Sequence, residues 1–307
     1  MRLARHPSAH GSSLAPGRPP DRTVCIVAIL RDEAWFIDEW LAYHRIIGAD
    51  HFVLYDDDPR RSLRDLVAPH ARYTSVVDWF RRGDRLSGRN RQTKAYTDAL
   101  SGIAGSFEWV AFIDGDEYIV LRKHADLHAF LAEFSQVGAV SLQWHGFGHN
   151  GFYADPPGLV TSSLTRRRRE PGRLAKSITR VAAIRRIRSA HYCDLKRGFR
   201  WVDPNGRQFE DALYPGKTDV AHINHYMARS FQRWMRKAER GDVAFNSANL
   251  PAKDRWKTHE EGWLRSFIEV IAKDWNEHVD EYMVQYEPAI LSHLRSIGIE
   301  LAERHSA

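Results

Sequence analysis

Asp114-Gly115-Asp116-Glu117-Tyr118 follows directly on the apolar run Trp109-Val110-Ala111-Phe112-Ile113, so two carboxylates spaced i, i+2 sit where a strand runs out. On extended backbone, positions i and i+2 point to the same face. Gly115 adds no side chain between them, which leaves room for a cation and a phosphate to approach. Hard carboxylate oxygens in such a place suit Mg²⁺ or Mn²⁺ shared with substrate phosphates, because these ions keep open positions rather than a full protein cage. The same residues also make an ordinary turn, and the motif alone does not decide between the two.

The elements that must position this motif alternate between strand and helix from Thr23 onward, the pattern of an α/β sheet with crossover helices. Val24 to Leu30 is continuously apolar, as a strand buried on both faces should be. Phe36, Ile37, Trp40, Leu41, His44 and Ile47 then recur at helical spacing until Gly48 stops the helix. His51–Tyr55 predicts a second strand running into Asp56-Asp57-Asp58, Thr74–Trp79 a third, Arg91–Ser101 a helix, and Trp109–Ile113 a fourth strand. Ligands of open α/β sheets bind at the carboxyl ends of the strands, so the acidic loops after strands one, two and four are expected to share one crevice. A helix over Leu127–Phe134 and a strand over Ala139–Trp144 lead to His145-Gly146-Phe147-Gly148-His149-Asn150-Gly151-Phe152, which reads equally as a substrate surface or a mobile connection. Ile178–Ile187 holds one or two strands. Ala221–Tyr226 precedes a helix striped by Phe231, Trp234, Met235 and Ala238, and Trp256–Glu303 reads as amphipathic helix with Trp263, Phe267, Ile268 and Ile271 on one face.

Across its 307 residues the chain is 43% hydrophobic and 27% charged, the composition of a globular protein. No stretch approaches the roughly 18 uninterrupted apolar residues of a membrane span. Residues 1–22 carry neither a signal-peptide core nor a packing pattern and are expected to form a disordered lead, followed by an α/β domain over 23–245 and a helical extension over 246–307. Cys25 and Cys193 form no zinc or disulfide spacing. A cytoplasmic location fits, with peripheral association at the inner face of the membrane as a further expectation. The net charge of +6 favours anionic partners in general without choosing among them, and the run Arg166–Arg169, followed by a turn signal, reads as a solvated loop.

The order of short motifs carries more. Arg31-Asp32-Glu33, Glu39-Trp40-Leu41-Ala42-Tyr43-His44, Ile47-Gly48-Ala49 and Tyr55-Asp56-Asp57 come first. Gln92 with Ala95-Tyr96, Trp109 through Tyr118, Phe147 through Gly151, Lys176-Ser177-Ile178, and His225-Tyr226 with Ser230, Lys237 and Arg240-Gly241 follow. This series, from Val24 to Gly241, resembles glycosyltransferase family 92 and the bacterial family 2-like transferases close to it. The resemblance implies a GT-A fold, a Rossmann-like mixed sheet flanked by helices. It also implies a nucleotide-sugar donor, commonly a UDP-sugar, a divalent metal at the aspartate motif, and inverting hexosyl transfer, galactosyl in animal members, to a glycan or other hydroxyl acceptor. The membrane anchor and luminal cysteine pairs of those members have no counterpart here, which leaves sugar and acceptor open.

On that reading Asp116 is the direct metal ligand, with Asp114 on the ribose or the metal, and His225, with His222 second, the distant histidine ligand. Arg31, Asp32, Asp57 and Gln92 line the nucleotide crevice, with Asp32 equally placed to cap the following helix. Arg91, Lys94 and Lys176 are candidates to steady the phosphates. The base that takes the acceptor proton is expected among Glu210, Asp211 and Asp203, the first two at the spacing of the family 2 acidic pair. Two other readings compete: a metal-dependent phosphohydrolase with Asp114 as nucleophile, and a non-catalytic binder of polyanions. No nucleic-acid motif is present to support the latter.

Overall fold

The computed structural model describes residues 23–33, 35–58, 60–80, 88–209, 216–240 and 260–300. The expected lead over 1–22, the boundary at 245/246, and Glu210 and Asp211 lie outside the described residues.

The strands are β1 (Val24–Leu30), β2 (His51–Asp56), β3 (Thr74–Asp78), β4 (Trp109–Phe112), β5 (Glu117–Leu121), β6 (Ala139–Gly146), β7 (Arg166–Arg167), β8 (Ala175–Arg180), β9 (Ile184–Ile187), β10 (Cys193–Leu195), β11 (Trp201–Val202), β12 (Ala221–His225) and β13 (His278–Val279). The longer helices are α1 (Ile37–Ile46), α2 (Gly88–Ile103), α3 (Phe231–Arg240), α4 (Glu260–Ser266) and α5 (Glu287–Ser296). One sheet runs β3-β2-β1-β4-β8-β6-β12-β5, with β11 also on β6. β3, β2, β1 and β4 are mutually parallel; β8 is antiparallel to β4 and β6, β12 parallel to β6, and β5 antiparallel to β12. This is the α/β class with a mixed sheet that the strand–helix alternation predicts.

Strand β1 is buried on both faces, and its alternate residues feed two cores. Val24, Ile26, Ala28 and Leu30 pack with α1 and with Ile290 and Leu294 of α5; Cys25 and Val27 pack with Ala95, Tyr96, Ala99 and Ile103 of α2. Helix α1 ends as Gly48 requires, with φ of 98° at the position after the cap, where a side chain would be strained. Its N-cap is Phe36, so Asp32 is not a helix cap.

The connection from β4 to β5 curls the sheet. These strands are four positions apart in the order, about 19 Å on a flat sheet, yet only Ile113–Asp116 join them. Those residues fold into a turn, closed by the Glu117 amide donating to the Asp114 carbonyl at 3.1 Å. The far edge of the sheet therefore folds back over the carboxyl ends of the parallel strands.

Several sequence expectations change on contact with the fold. In the glycine- and histidine-rich segment 145–152 two glycines are packed against: a Cβ on Gly146 would meet the Trp275 ring at 2.9 Å, and one on Gly148 would meet the Asn276 side chain. Arg166–Arg167 is a short strand paired with β13, and Arg167 is drawn inward to Asp280 (2.8 Å) and His145 (3.1 Å). In the C-terminal helices Trp263, Phe267 and Ile271 are buried against Trp234, but Ile268 points outward, because 263, 267 and 271 step by four and 268 does not. Both cysteines are free and buried, Cys193 in β10.

His44 ties α1 to β5. Its Nδ1 lies 2.8 Å from the Trp40 carbonyl and its Nε2 3.2 Å from the Ile119 amide, so Nδ1 donates and Nε2 accepts, which fixes a neutral tautomer. Burial pushes its pKa down to about 3. The unfolded chain therefore binds this proton from about pH 6.5 downward while the folded chain refuses it. Stability is fully present above pH 6.5 and falls by about 1.4 kcal/mol per pH unit toward pH 3 from this residue alone. Urea unfolding at pH 7, 6 and 5 should show that slope, and His44→Gln, which keeps an acceptor for the Ile119 amide, should flatten it.

Candidate active site around the Asp114–Glu117 turn

The loops after β1, β2 and β4 meet at one end of the parallel strands. Arg31 donates to Asp57 (2.7 Å), the Asp32 amide donates to the Asp58 carboxylate (3.1 Å), and Arg229 joins Glu33 (2.7 Å) to the Gly115 carbonyl (3.1 Å). Gly115 is required by crowding rather than by an open approach. A Cβ there would lie 2.7 Å from Leu30 and 3.1 Å from Glu33, so the turn is pressed onto the end of β1.

Because 114–117 is a turn and not a strand, its two aspartates diverge, and the same-face expectation for i and i+2 does not hold. Asp114 accepts from Gln92 (2.9 Å) and from the buried Lys176 ammonium (2.9 Å). Asp116 accepts from the Lys237 ammonium at 2.8 Å on Oδ2, and its Oδ1 lies 3.4 Å from Nε2 of His225. Asp114, Asp116 and His225 thus do not gather around one point; among the described residues no three His, Cys, Asp or Glu side chains do. What converges is the pair Asp116 and His225.

The electrostatics sharpen this division. Burial pushes the Asp116 carboxyl up, but Lys237 and His225 outweigh it and hold the group well below the usual carboxylate range. Glu117, fully buried behind the turn, is pushed by burial up to about 7; Lys176, 3.3 Å away, opposes that rise and Asp114 adds to it. Burial alone would pull the Lys176 ammonium down, and Asp114 with Glu117 overcomes it. One aspartate is firmly ionised next to an imidazole; the other is tied into a buried Lys–Asp–Glu cluster.

His225 faces the turn. Its ring packs on Trp144 at 4.4 Å, its Nε2 faces Asp116, and its Nδ1 is buried without a partner among the described residues. His222 lies two strand positions from Asn224 and on the opposite face from His225. It bonds the Thr218 carbonyl and Asn224, both at 3.0 Å, away from the turn.

The remaining expected residues fall in three places. Asp57 is fully buried with both oxygens taken, by Arg31 and by Arg91, so it orders two arginines rather than presenting a free carboxylate. Asp32 has left-handed backbone, φ of 61°, and lies 3.2 Å from Arg60; such a conformation persists only where surroundings impose it. Lys94 is exposed on α2. Asp203 closes its own loop, accepting from the Asn205 (2.9 Å) and Arg207 (3.0 Å) amides, the role of an Asx turn, while its Oδ2 is buried without a partner among the described residues.

Three residues that the sequence reading did not assign to the site come from α3 and the bend that leads into it. Arg233 and Lys237 lie one turn apart on α3, Arg229 precedes the helix with left-handed backbone, φ of 52°, and all three are buried. Arg229 and Lys237 reach the turn, while Arg233 grips Asp155 (2.6 and 3.0 Å), lies 3.9 Å from Asp32, and keeps its Nη1 without a hydrogen-bond partner among the described residues. The family-like motif on α1 also acts on this turn. Trp40 Nε1 donates to the Glu117 carbonyl (2.8 Å), the Tyr43 hydroxyl to the Ile119 carbonyl (2.7 Å), and Glu39 accepts from the Val160 and Thr161 amides and the Thr161 hydroxyl.

Comparison with known proteins bears on the family rather than on the geometry. The sequence model of Glycosyltransferase family 92 matches residues 21–264. A glycosyltransferase family 92 protein of Oryza sativa subsp. japonica is 27% identical over 270 residues, 81% of this chain and 42% of its own length. One from Ricinus communis is 25% identical over 248 residues, 76% of this chain and 41% of its own. The chain thus spans less than half the length of these relatives. Among solved structures, S. aureus TarS 1-349 aligns over 90% of this chain and 80% of its own at 15% identity, with a TM-score of 0.34, too low to argue from.

Proposed function

Given that the chain belongs to glycosyltransferase family 92, we propose that it transfers a sugar from a nucleotide-sugar donor to a hydroxyl of a glycan or other acceptor, at the turn Asp114–Glu117. The observation that carries this reading is the convergence of Asp116 Oδ1 and His225 Nε2, 3.4 Å apart, where the loops of three parallel strands meet. A carboxylate oxygen and an imidazole nitrogen are a donor pair that Mn²⁺ accepts. When bound, such an ion acts as a Lewis acid on the diphosphate that departs.

This chain's own residues do the rest of the work. Asp116 stays ionised because Lys237 and His225 hold it so. Gln92 and Lys176 fix Asp114, whose carboxylate is still a third exposed and is in our reading the acceptor for ribose hydroxyls. The arginines anchored on Asp57 and the face of α3 supply donors for phosphate oxygens. Inversion needs a base on the acceptor side, and Glu210 and Asp211 remain our candidates; Asp203 is second, since its loop already uses one of its oxygens.

A thermal-shift screen against UDP-, GDP-, TDP- and CMP-sugars, with and without Mn²⁺, tests the reading. One nucleotide should stabilise the protein only with the ion, by about 2.7 kcal/mol at a hundred times its Kd. Absence of any shift with all four would sink the donor site.

A further inference from the structure

The strongest unused observation is that the ionised aspartate of the turn already has a cation. Lys237 is buried, donates to Asp116 Oδ2 at 2.8 Å, and is tethered on its other side to the Met227 carbonyl at 2.9 Å. Arg233, one turn earlier on α3, pairs with Asp155 and lies 3.9 Å from Asp32, and Arg229, just before the helix, pairs with Glu33. Across the turn, Lys176 serves both Asp114 and Glu117. Asp116 therefore has its own buried cation, Lys237, without any bound ion. A divalent cation placed between Asp116 and His225 would stand a few ångströms from the Lys237 ammonium, and like charges at that separation repel strongly where water is excluded.

We propose that Lys237 is the resident counter-ion of Asp116 and competes with the divalent cation for it, so that cation and nucleoside diphosphate are taken up together and not one after the other. This rests on the donor-site reading above. The diphosphate gives the displaced ammonium a new anionic partner, and the tether to Met227 keeps it within reach. Arg233, one turn away, whose Nη1 makes no hydrogen bond among the described residues and lies 3.9 Å from Asp32, serves the same anion. By linkage, the nucleotide must raise the affinity for the ion by the same factor as the ion raises that for the nucleotide.

The test is titration of Mn²⁺ alone into the full chain, read as free Mn²⁺ by electron paramagnetic resonance, for wild type, Lys237→Met and Lys237→Arg. Lys237→Met should bind Mn²⁺ at least about ten-fold tighter than wild type because the competitor is gone, and Lys237→Arg should resemble wild type. Added UDP should tighten Mn²⁺ binding about ten-fold or more in wild type and much less in Lys237→Met. The same ion should also raise the melting temperature of Lys237→Met more than that of wild type. Lys237→Gln, whose amide still donates to Asp116, covers the case in which the Met variant folds poorly. Mn²⁺ binding by Lys237→Met and Lys237→Gln equal to or weaker than that of wild type overturns the competition while leaving the donor site standing. A wild type that binds Mn²⁺ neither alone nor with UDP overturns the donor-site reading and this inference together.

Discussion

Asp116→Asn is expected to reduce transfer by on the order of 10²–10³-fold, the loss seen when one preorganised stabiliser of developing charge is removed, and to abolish the Mn²⁺-dependent stabilisation by nucleotide. The substitution removes the charge but leaves an oxygen that can still accept from Lys237, now 2.8 Å away. The turn itself should survive, since it is closed by the backbone bond between Glu117 and Asp114 and by the Tyr226 amide on the Asp116 carbonyl. Asp114→Asn is the discriminating partner experiment. Asp114 is held by Gln92 and Lys176 and does not face His225, so its loss should weaken nucleotide affinity while Mn²⁺ dependence persists. Equal loss of Mn²⁺ dependence in the two variants would mean that the ion is shared between the aspartates and that the division between them is wrong.

That division marks the limit of what the sequence could show. The strand Val24–Leu30, the helix stopped by Gly48 and the acidic loops after parallel strands were legible, because burial on both faces and a left-handed C-terminal glycine leave direct traces in residue order. The direction of each aspartate was not legible. It follows from Gly115 being crowded onto Leu30 and Glu33, a contact between segments more than eighty residues apart. His225 was separable from His222 in principle, because strand alternation puts them on opposite faces.

The cation face of α3 is the more instructive miss. Arg233 and Lys237 have the spacing of one helical side, with Arg229 just before the helix, but charged residues at that spacing are usually a solvated surface, and no pattern within the helix says otherwise. What buries them is the folding back of the sheet, which brings β5 and β12 over the parallel strands and sets α3 against the turn. The glycine- and histidine-rich segment 145–152 read equally as a ligand surface or a connection; its Gly146 and Gly148 make room for Trp275 and Asn276, a contact that residue order does not carry.

Lys176→Met is expected to be the most destabilising single change in the site, by about 3–5 kcal/mol, the range for removing one member of a buried ionic cluster. The ammonium is fully buried, lies 2.9 Å from Asp114 and 3.3 Å from Glu117, and is the cation that keeps those two carboxyl groups compatible in one enclosed space. Without it, Glu117, already at about 7, is driven higher, since the influence that opposes burial is gone while Asp114 remains. The sign of the pH dependence follows. Glu117 can escape ionisation by holding its proton at pH 6 but is pressed to release it as pH rises, so the variant should lose more stability relative to wild type at pH 8 than at pH 6. Adding Glu117→Gln should recover part of the loss and remove its pH dependence, because an amide of the same shape carries no charge to repel Asp114. Urea unfolding of the three proteins at the two pH values measures all of this. A loss below about 1 kcal/mol for Lys176→Met, within the range of an exposed ion pair, would mean that the cluster is hydrated and that packing, not the ammonium, holds the turn in place.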